Sequence, residues 1–171
     1  MRIMIGFAAI ALCGLASLPA YAAMDDGNIV RTCKRGQIYD QRVKMCVQAG
    51  SGVVDDKSLA DYAYALAREN RFEEALATLD LLADSNTAEA LNYRGYATRK
   101  LGRVDEGIAY YKQAVALDPD YTLVREYLGE AYVLQGRLDL AKAELAEIEK
   151  CCGSTCEPYE DLAEVIEAVE G

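Results

Sequence analysis

The chain has 171 residues, with 18 Lys and Arg against 28 Asp and Glu, and no histidine. A net charge of −10 repels the phosphate backbone and excludes DNA or RNA as a main ligand. The missing histidine removes the commonest general base and the commonest metal ligand together.

Residues 1–23, MRIMIGFAAIALCGLASLPAYAA, read as a secretory signal peptide. Arg2 precedes an apolar run to Leu18, then come Pro19 and an Ala20-Tyr21-Ala22 site, with cleavage expected near Ala22 or Ala23. Cys13 raises a lipoprotein alternative, but Leu12 stands before it where such signals carry a small residue. No later run approaches the ~20 apolar residues a membrane helix needs. The mature chain is therefore expected to be periplasmic or secreted, without a membrane span. Five cysteines remain: Cys33, Cys46, Cys151, Cys152 and Cys156. Export makes disulfides their default fate, and an odd number leaves one thiol over.

Residues 24–50 form a small unit and the start of a linker. Within it, TCKRGQIYDQRVKMCV carries two short strand signals, Gln37-Ile38-Tyr39 and Lys44-Met45-Cys46-Val47, with Asp40 to Val43 as the turn. A Cys33–Cys46 bond would staple this hairpin and stabilise it by about 3 kcal/mol. Its basic face, from Arg31 to Lys44, is suited to docking on an acidic surface, its own domain included. QAGSGVVDDK, from Gln48, is the linker.

Residues 51–171 switch to helical periodicity. Ser58 to Glu69 predicts a first helix, ending at Asn70, a residue that tolerates the left-handed conformation of a helix end. Its partner opens at Arg71 or Phe72, with Phe72, Ala75, Leu76, Leu79 and Leu82 on one stripe. Asn86 or Thr87 caps a helix that stops at Gly102. Val104 to Leu117 follows, burying Ile108, Tyr111 and Ala114, and Asp118-Pro119 ends it. Tyr121 to Gln135 and Leu138 to Glu149 make a third hairpin broken at Gly136. Pro158 to about Val169 is the last helix, with Leu162, Val165, Ile166 and Val169 apolar and Glu160, Asp161, Glu164, Glu167 and Glu170 on a charged outer face. One apolar and one polar side suits a terminal cap.

The pairs Gly95 and Gly129, Gly102 and Gly136, and Arg103 and Arg137 are each 34 residues apart. A fixed period of this length marks an α-solenoid: three helical hairpins that bury their cores against neighbours, plus the cap. Gly95 and Gly129 are each expected to pack against the second helix of their own hairpin.

These residues resemble the tetratricopeptide repeat over roughly residues 56–150. The family's large residue, small residue, alanine, aromatic, alanine and closing proline are met by Leu91, Gly95, Gly107 in place of alanine, Tyr111, Ala114 and Pro119. Gly129, Ala141, Leu145 and Ile148 match the third unit more loosely; Ala63, Phe72, Ala75, Leu79 and Leu82 match a first unit two residues shorter. Arg94 stands where the family has leucine. The layout is also similar to small exported tetratricopeptide proteins of proteobacteria with an N-terminal CxxGxxYDxxxxxC unit.

The resemblance implies an all-α protein-interaction module, not an enzyme, with a concave groove lined by the first helix of each hairpin. In that register Tyr64, Tyr93, Tyr96 and Tyr127 face the groove, and Asn92, Arg99 and Lys100 are placed to hold a carboxylate or backbone of an extended or helical segment of another exported protein. Tyrosine offers contact area and a hydroxyl at low entropic cost, though the same rings also suit packing between repeats. The family's clamp for a C-terminal carboxylate is incomplete, because its key positions read Ala60, Asn92 and Glu126. Tyr111 and Tyr132 belong to the core.

Two other readings remain. The Cys33–Cys46 unit resembles part of the peritrophin-type chitin-binding pattern, which implies cell-wall carbohydrate binding. The cluster Cys151-Cys152-Gly153-Ser154-Thr155-Cys156 suits thiol exchange or Cu(I), but a staple to the last helix explains it with less, with Cys152–Cys156 as the first pairing and Cys151–Cys156 the rival. No catalytic set, cofactor motif or metal site emerges, and the sequence fixes neither partner nor oligomeric state.

Overall fold

A computed structural model describes residues 31–40, 42–49 and 54–171. The expected signal peptide, Cys13 and residues 50–53 of the linker lie outside the described residues. A two-stranded antiparallel hairpin, β1 (Gln37–Asp40) and β2 (Met45–Gln48), precedes seven helices. These are α1 (Asp56–Arg68), α2 (Phe72–Leu79), α3 (Ala88–Lys100), α4 (Val104–Leu117), α5 (Thr122–Leu134), α6 (Leu138–Cys152) and α7 (Glu157–Glu170). From residue 58 to residue 149 there is no strand. The chain packs α1 on α2, α3 on α4 and α5 on α6, and α1, α3, α5 and α7 lie side by side in that order. This is the expected all-α solenoid of three hairpins and a cap.

The three hairpin bends use one device. Asn70, Gly102 and Gly136 adopt left-handed backbone, with φ of 62°, 84° and 70°. The arginine that follows each donates its N–H six residues' span back into the first helix: Arg71 to Leu66 O at 2.9 Å, Arg103 to Thr98 O at 3.2 Å and Arg137 to Tyr132 O at 2.9 Å. These bonds satisfy carbonyls that a helix end would leave unpaired. The shorter first unit is tied differently at its exit. Asp56, in the first turn of α1, accepts the N–H groups of Ala83 and Asp84 at 2.9 Å each, which pulls the α2–α3 loop back onto α1.

The hairpin caps the solenoid's first end. Cys33 and Cys46 are bonded, and Cys33, Ile38 and Tyr39 share a core with Leu59, Tyr62, Leu66 and Leu79. Tyr62 is almost fully buried and holds the hairpin through its hydroxyl, which accepts the Cys33 N–H at 2.9 Å and donates to Gln37 O at 3.1 Å. The basic face pairs with the domain, Arg35 with Glu74 at 3.8 Å and Arg42 with Asp55 at 3.7 Å.

At the other end α7 closes the stack, and here the structure corrects the sequence in three places. α6 continues to Cys152, so Cys151 and Cys152 are helical. α7 begins one residue earlier, at Glu157, and Val169 is exposed, leaving Leu162 and Ile166 as its fully buried residues. Gly129 does not meet its own hairpin: a Cβ there would lie 2.5 Å from the Leu162 side chain of α7, whereas at Gly95 it would lie 2.6 Å from Tyr111 of α4, as expected. The reason is one residue. Leu145 occupies the place that Tyr111 holds in the preceding repeat; the shorter side chain leaves the Gly129 surface to α7. The expected outer face of α7 is as predicted: Glu160, Asp161, Glu164, Glu167 and Glu170 are all exposed. The Cys152–Cys156 bond joins α6 to the start of α7, and Cys151 is an exposed free thiol.

Arg94, the departure from the family's leucine, is accommodated by polar contacts. It pairs with Asp80 at 2.8 Å and lies 5.9 Å from the Tyr110 ring centre, linking α3 to the end of α2 and to α4.

Candidate partner-binding groove

Tyrosines of the inner helices run along the stack from α1 to α5. Tyr64 of α1 stacks on Tyr93 of α3, with ring centres 4.8 Å apart and planes 21° from parallel. Tyr96, one turn along α3, meets Tyr127 of α5 at 5.4 Å and Phe72 of α2 at 6.4 Å. Tyr127 also touches Tyr111 at 6.2 Å. Such ring pairs each contribute about 0.5–1.5 kcal/mol beyond area burial. Tyr64, Tyr93 and Tyr96 keep part of their surface open, while Tyr127 is buried. Burial raises the phenol pKa values of Tyr93, Tyr96 and Tyr127 above the ordinary range, so all three stay neutral at physiological pH.

The polar residues of the predicted set divide. Lys100 is exposed and lies 5.4 Å from the centre of the Tyr96 ring. Arg99 is buried and committed to the protein: its Nη2 donates to Glu130 Oε2 at 2.7 Å, its Nε donates to the Tyr111 hydroxyl at 3.3 Å, and its guanidinium lies over Tyr96 and Tyr127. It ties α3 to α4 and α5, and it supports the Tyr96–Tyr127 pair from below. Asn92 is fully buried; its Nδ2 donates to the Tyr121 hydroxyl at 3.3 Å, and its Oδ1 has no hydrogen-bond partner.

Two residues of this surface, Tyr121 and Glu89, were not singled out from the sequence, and Glu126 was named only as a departure from the family's clamp. Tyr121 precedes α5 and reaches Asn92 on α3. Glu89, in the first turn of α3, accepts the Tyr93 hydroxyl at 3.2 Å. Glu126 of α5 is 4% exposed, and its carboxyl pKa is pushed up to about 8, first by burial and then by Glu130, Asp161 and Glu157. In the register Glu126 repeats Asn92 after 34 residues, as the clamp positions above have it.

The sequence and the fold both have relatives. Two tetratricopeptide repeat family profiles match, one over residues 61–122 and the other over residues 99–151. The TPR repeat-containing thioredoxin TTL4 of Arabidopsis thaliana is 28% identical over 139 residues, covering 80% of this chain and 18% of that protein; the chain thus spans under a fifth of that relative's length. Among solved structures, MamA superposes with a TM-score of 0.56 at 19% identity, covering 67% of this chain and 68% of its own. The Yersinia enterocolitica type III secretion chaperone SycD, in complex with a peptide of the translocator YopD, gives 0.55 at 18% identity, covering 67% and 91%. The first TPR of Spaghetti (RPAP3), bound to an HSP90 peptide, gives 0.56 at 20% identity, covering 69% and 100%. At these identities the structures share the fold. The 34-residue period, the three left-handed bends and the two profile matches agree: residues 61–151 of the chain are tetratricopeptide repeats.

Proposed function

We propose that the protein is an exported interaction module that binds an extended or helical segment of another exported protein in its concave groove. The observation that carries this reading is the row of tyrosine rings on α1 and α3, stacked on each other yet open on one side. Rings held rigid in this way present contact area at little entropic cost, and interface energy concentrates in such residues. SycD and RPAP3, which share the fold, have been seen with peptides bound. The resemblance to small exported proteobacterial proteins and the leader-like residues 1–23 support a periplasmic or secreted setting.

Two features disfavour the alternatives. Tyr39, the aromatic residue of the Cys33–Cys46 unit, is buried against α1 and offers no ring to a sugar. Cys152 and Cys156 are bonded, which leaves one thiol of that cluster.

A photo-crosslinking amino acid at position 64, compared with one at exposed Lys112 on α4, tests the reading in extract of the native host. Partners identified by mass spectrometry should be captured from position 64 and not from position 112. Tyr64→Ala with Tyr93→Ala should weaken binding of the identified partner at least tenfold, with helical content by circular dichroism intact. A folded double variant that binds normally would move the working surface elsewhere, and the basic hairpin would be next to examine.

A further inference from the structure

The hairpin that caps α1 is basic, on an otherwise acidic molecule. From Arg31 to Val47 the sequence holds Arg31, Lys34, Arg35, Arg42 and Lys44 against a single acid, Asp40, which is fully buried. β1 is the inner strand, with Ile38, Tyr39 and Asp40 buried; β2 is the outer one, with Met45, Cys46 and Gln48 exposed. Arg35 and Arg42 have partners in the domain. Among the described residues, Arg31, Lys34 and Lys44 pair with no carboxylate.

Apolar side chains stand among these cations. Val43 is 54% exposed and Met45 is 58% exposed. Single exposed apolar residues are ordinary on a protein surface. Here the run Arg42-Val43-Lys44-Met45 alternates cation and apolar side chain, and all four are exposed. Lys44 stands between the two apolar residues in left-handed backbone, with φ of 53°, which glycine would hold at less cost. The Cys33–Cys46 bond holds a further cation to the same strand, because Lys34 and Met45 are each one residue from it.

Cations beside an apolar tip match the boundary at which anionic headgroups overlie acyl chains. An acidic polypeptide would answer the cations and leave Val43 and Met45 without a partner; a neutral bilayer would do the reverse. We propose that the hairpin tip docks on a bilayer bearing anionic phospholipid. Val43 and Met45 enter the acyl boundary, and Lys34 and Lys44 lie among the headgroups. The acidic helices are repelled by such a surface, so the contact is end-on. α1, α3, α5 and α7 then run away from the bilayer in that order, which leaves the groove open to solvent.

The test is vesicle flotation of residues 24–171, which hold every element of the fold and omit the expected leader. One set of vesicles is phosphatidylcholine alone; the other is equal parts phosphatidylcholine and phosphatidylglycerol. Val43→Ser with Met45→Ser removes the apolar tip, and Lys34→Gln with Lys44→Gln removes charge beside it. Lys112→Gln with Lys150→Gln removes the same charge from exposed sites on α4 and α6. An intact Cys33–Cys46 bond by mass and unchanged circular dichroism establish that each variant is folded. The parent and the α4–α6 variant should float with the anionic vesicles and not with the neutral ones. Each hairpin variant should bind the anionic vesicles roughly tenfold more weakly. The chain has no tryptophan, so Val43→Trp supplies a single emission, which should shift to the blue on anionic vesicles. No flotation, equal loss in the α4–α6 variant, or an unshifted tryptophan emission would each overturn the proposal. So would binding that ignores Val43 and Met45 and transfers to polyglutamate, which would make an acidic polypeptide the partner. The groove reading stands or falls separately, on Tyr64 and Tyr93.

Discussion

Glu126 couples the groove to pH. Its folded-state pKa of about 8 lies above the ordinary 4.5. Below that ordinary value the carboxyl is protonated in folded and unfolded chains alike. As pH rises, the unfolded chain ionises freely while the folded chain holds its proton, so stability falls until the folded group ionises as well. Asp40, Asp55, Asp56 and Glu74 act in the opposite sense in a lower window: hydrogen bonds from Arg42, Ser58, Asp84 and Arg71 lower their pKa values, and their contribution is lost as pH falls through those values. Melting temperature should therefore decline between about pH 5 and about pH 8, and Glu126→Gln should flatten most of that decline. An unchanged slope in the variant would show that other groups carry it. Gly129 makes a second prediction at this scale. Leu162 already lies where its Cβ would be, so Gly129→Leu should cost on the order of 1–3 kcal/mol by overpacking. The loss would be read from denaturant midpoints, with hydrogen-exchange protection falling most in α7.

Among the elements, the bends are the most regular feature, and they were the most legible. Gly102 and Gly136 announce themselves by period and by residue type, and Asn70 by its place after an alanine-rich helix. All three are left-handed in the structure. Nothing crowds a Cβ at Gly136, so Gly136→Ala should cost only the backbone strain, about 1–2 kcal/mol in urea unfolding. Asn70→Gly should stay within about 0.5 kcal/mol of the parent. What the sequence left hidden lies in contacts between repeats. A helical pattern states that Arg99 is on an inner face; it does not state that Glu130, 31 residues on, will take its charge. Nor does a stripe on α7 reveal that Leu162 will meet Gly129 of α5, because that depends on how the last helix settles on the third hairpin.

For the molecule as a whole, stability should be a sum over repeats and their interfaces, as in other solenoids. The two ends differ in kind: a disulfide-bonded β-hairpin covers α1, and a helix covers α5. Removing residues 1–53 uncovers Tyr62 and Leu66; ending the chain at Gly153 uncovers Leu128 and Gly129. Each truncation should lower the melting temperature and should free amide exchange chiefly in the hairpin it exposes, α1–α2 in the first case and α5–α6 in the second. Loss of protection spread evenly over all six repeat helices would instead show a single cooperative unit.

The hairpin on α1 has a consequence for self-assembly. Stacked repeats present, at a bare end, the same kind of surface that joins one repeat to the next. Two such ends on one molecule would be complementary, and a head-to-tail contact of that type does not close but grows into a fibre. Here the first end is β-structure pinned by Tyr62 and the last is a helix edged with carboxylates. Neither described end repeats the face by which one hairpin meets the next, which disfavours head-to-tail stacking of this unit.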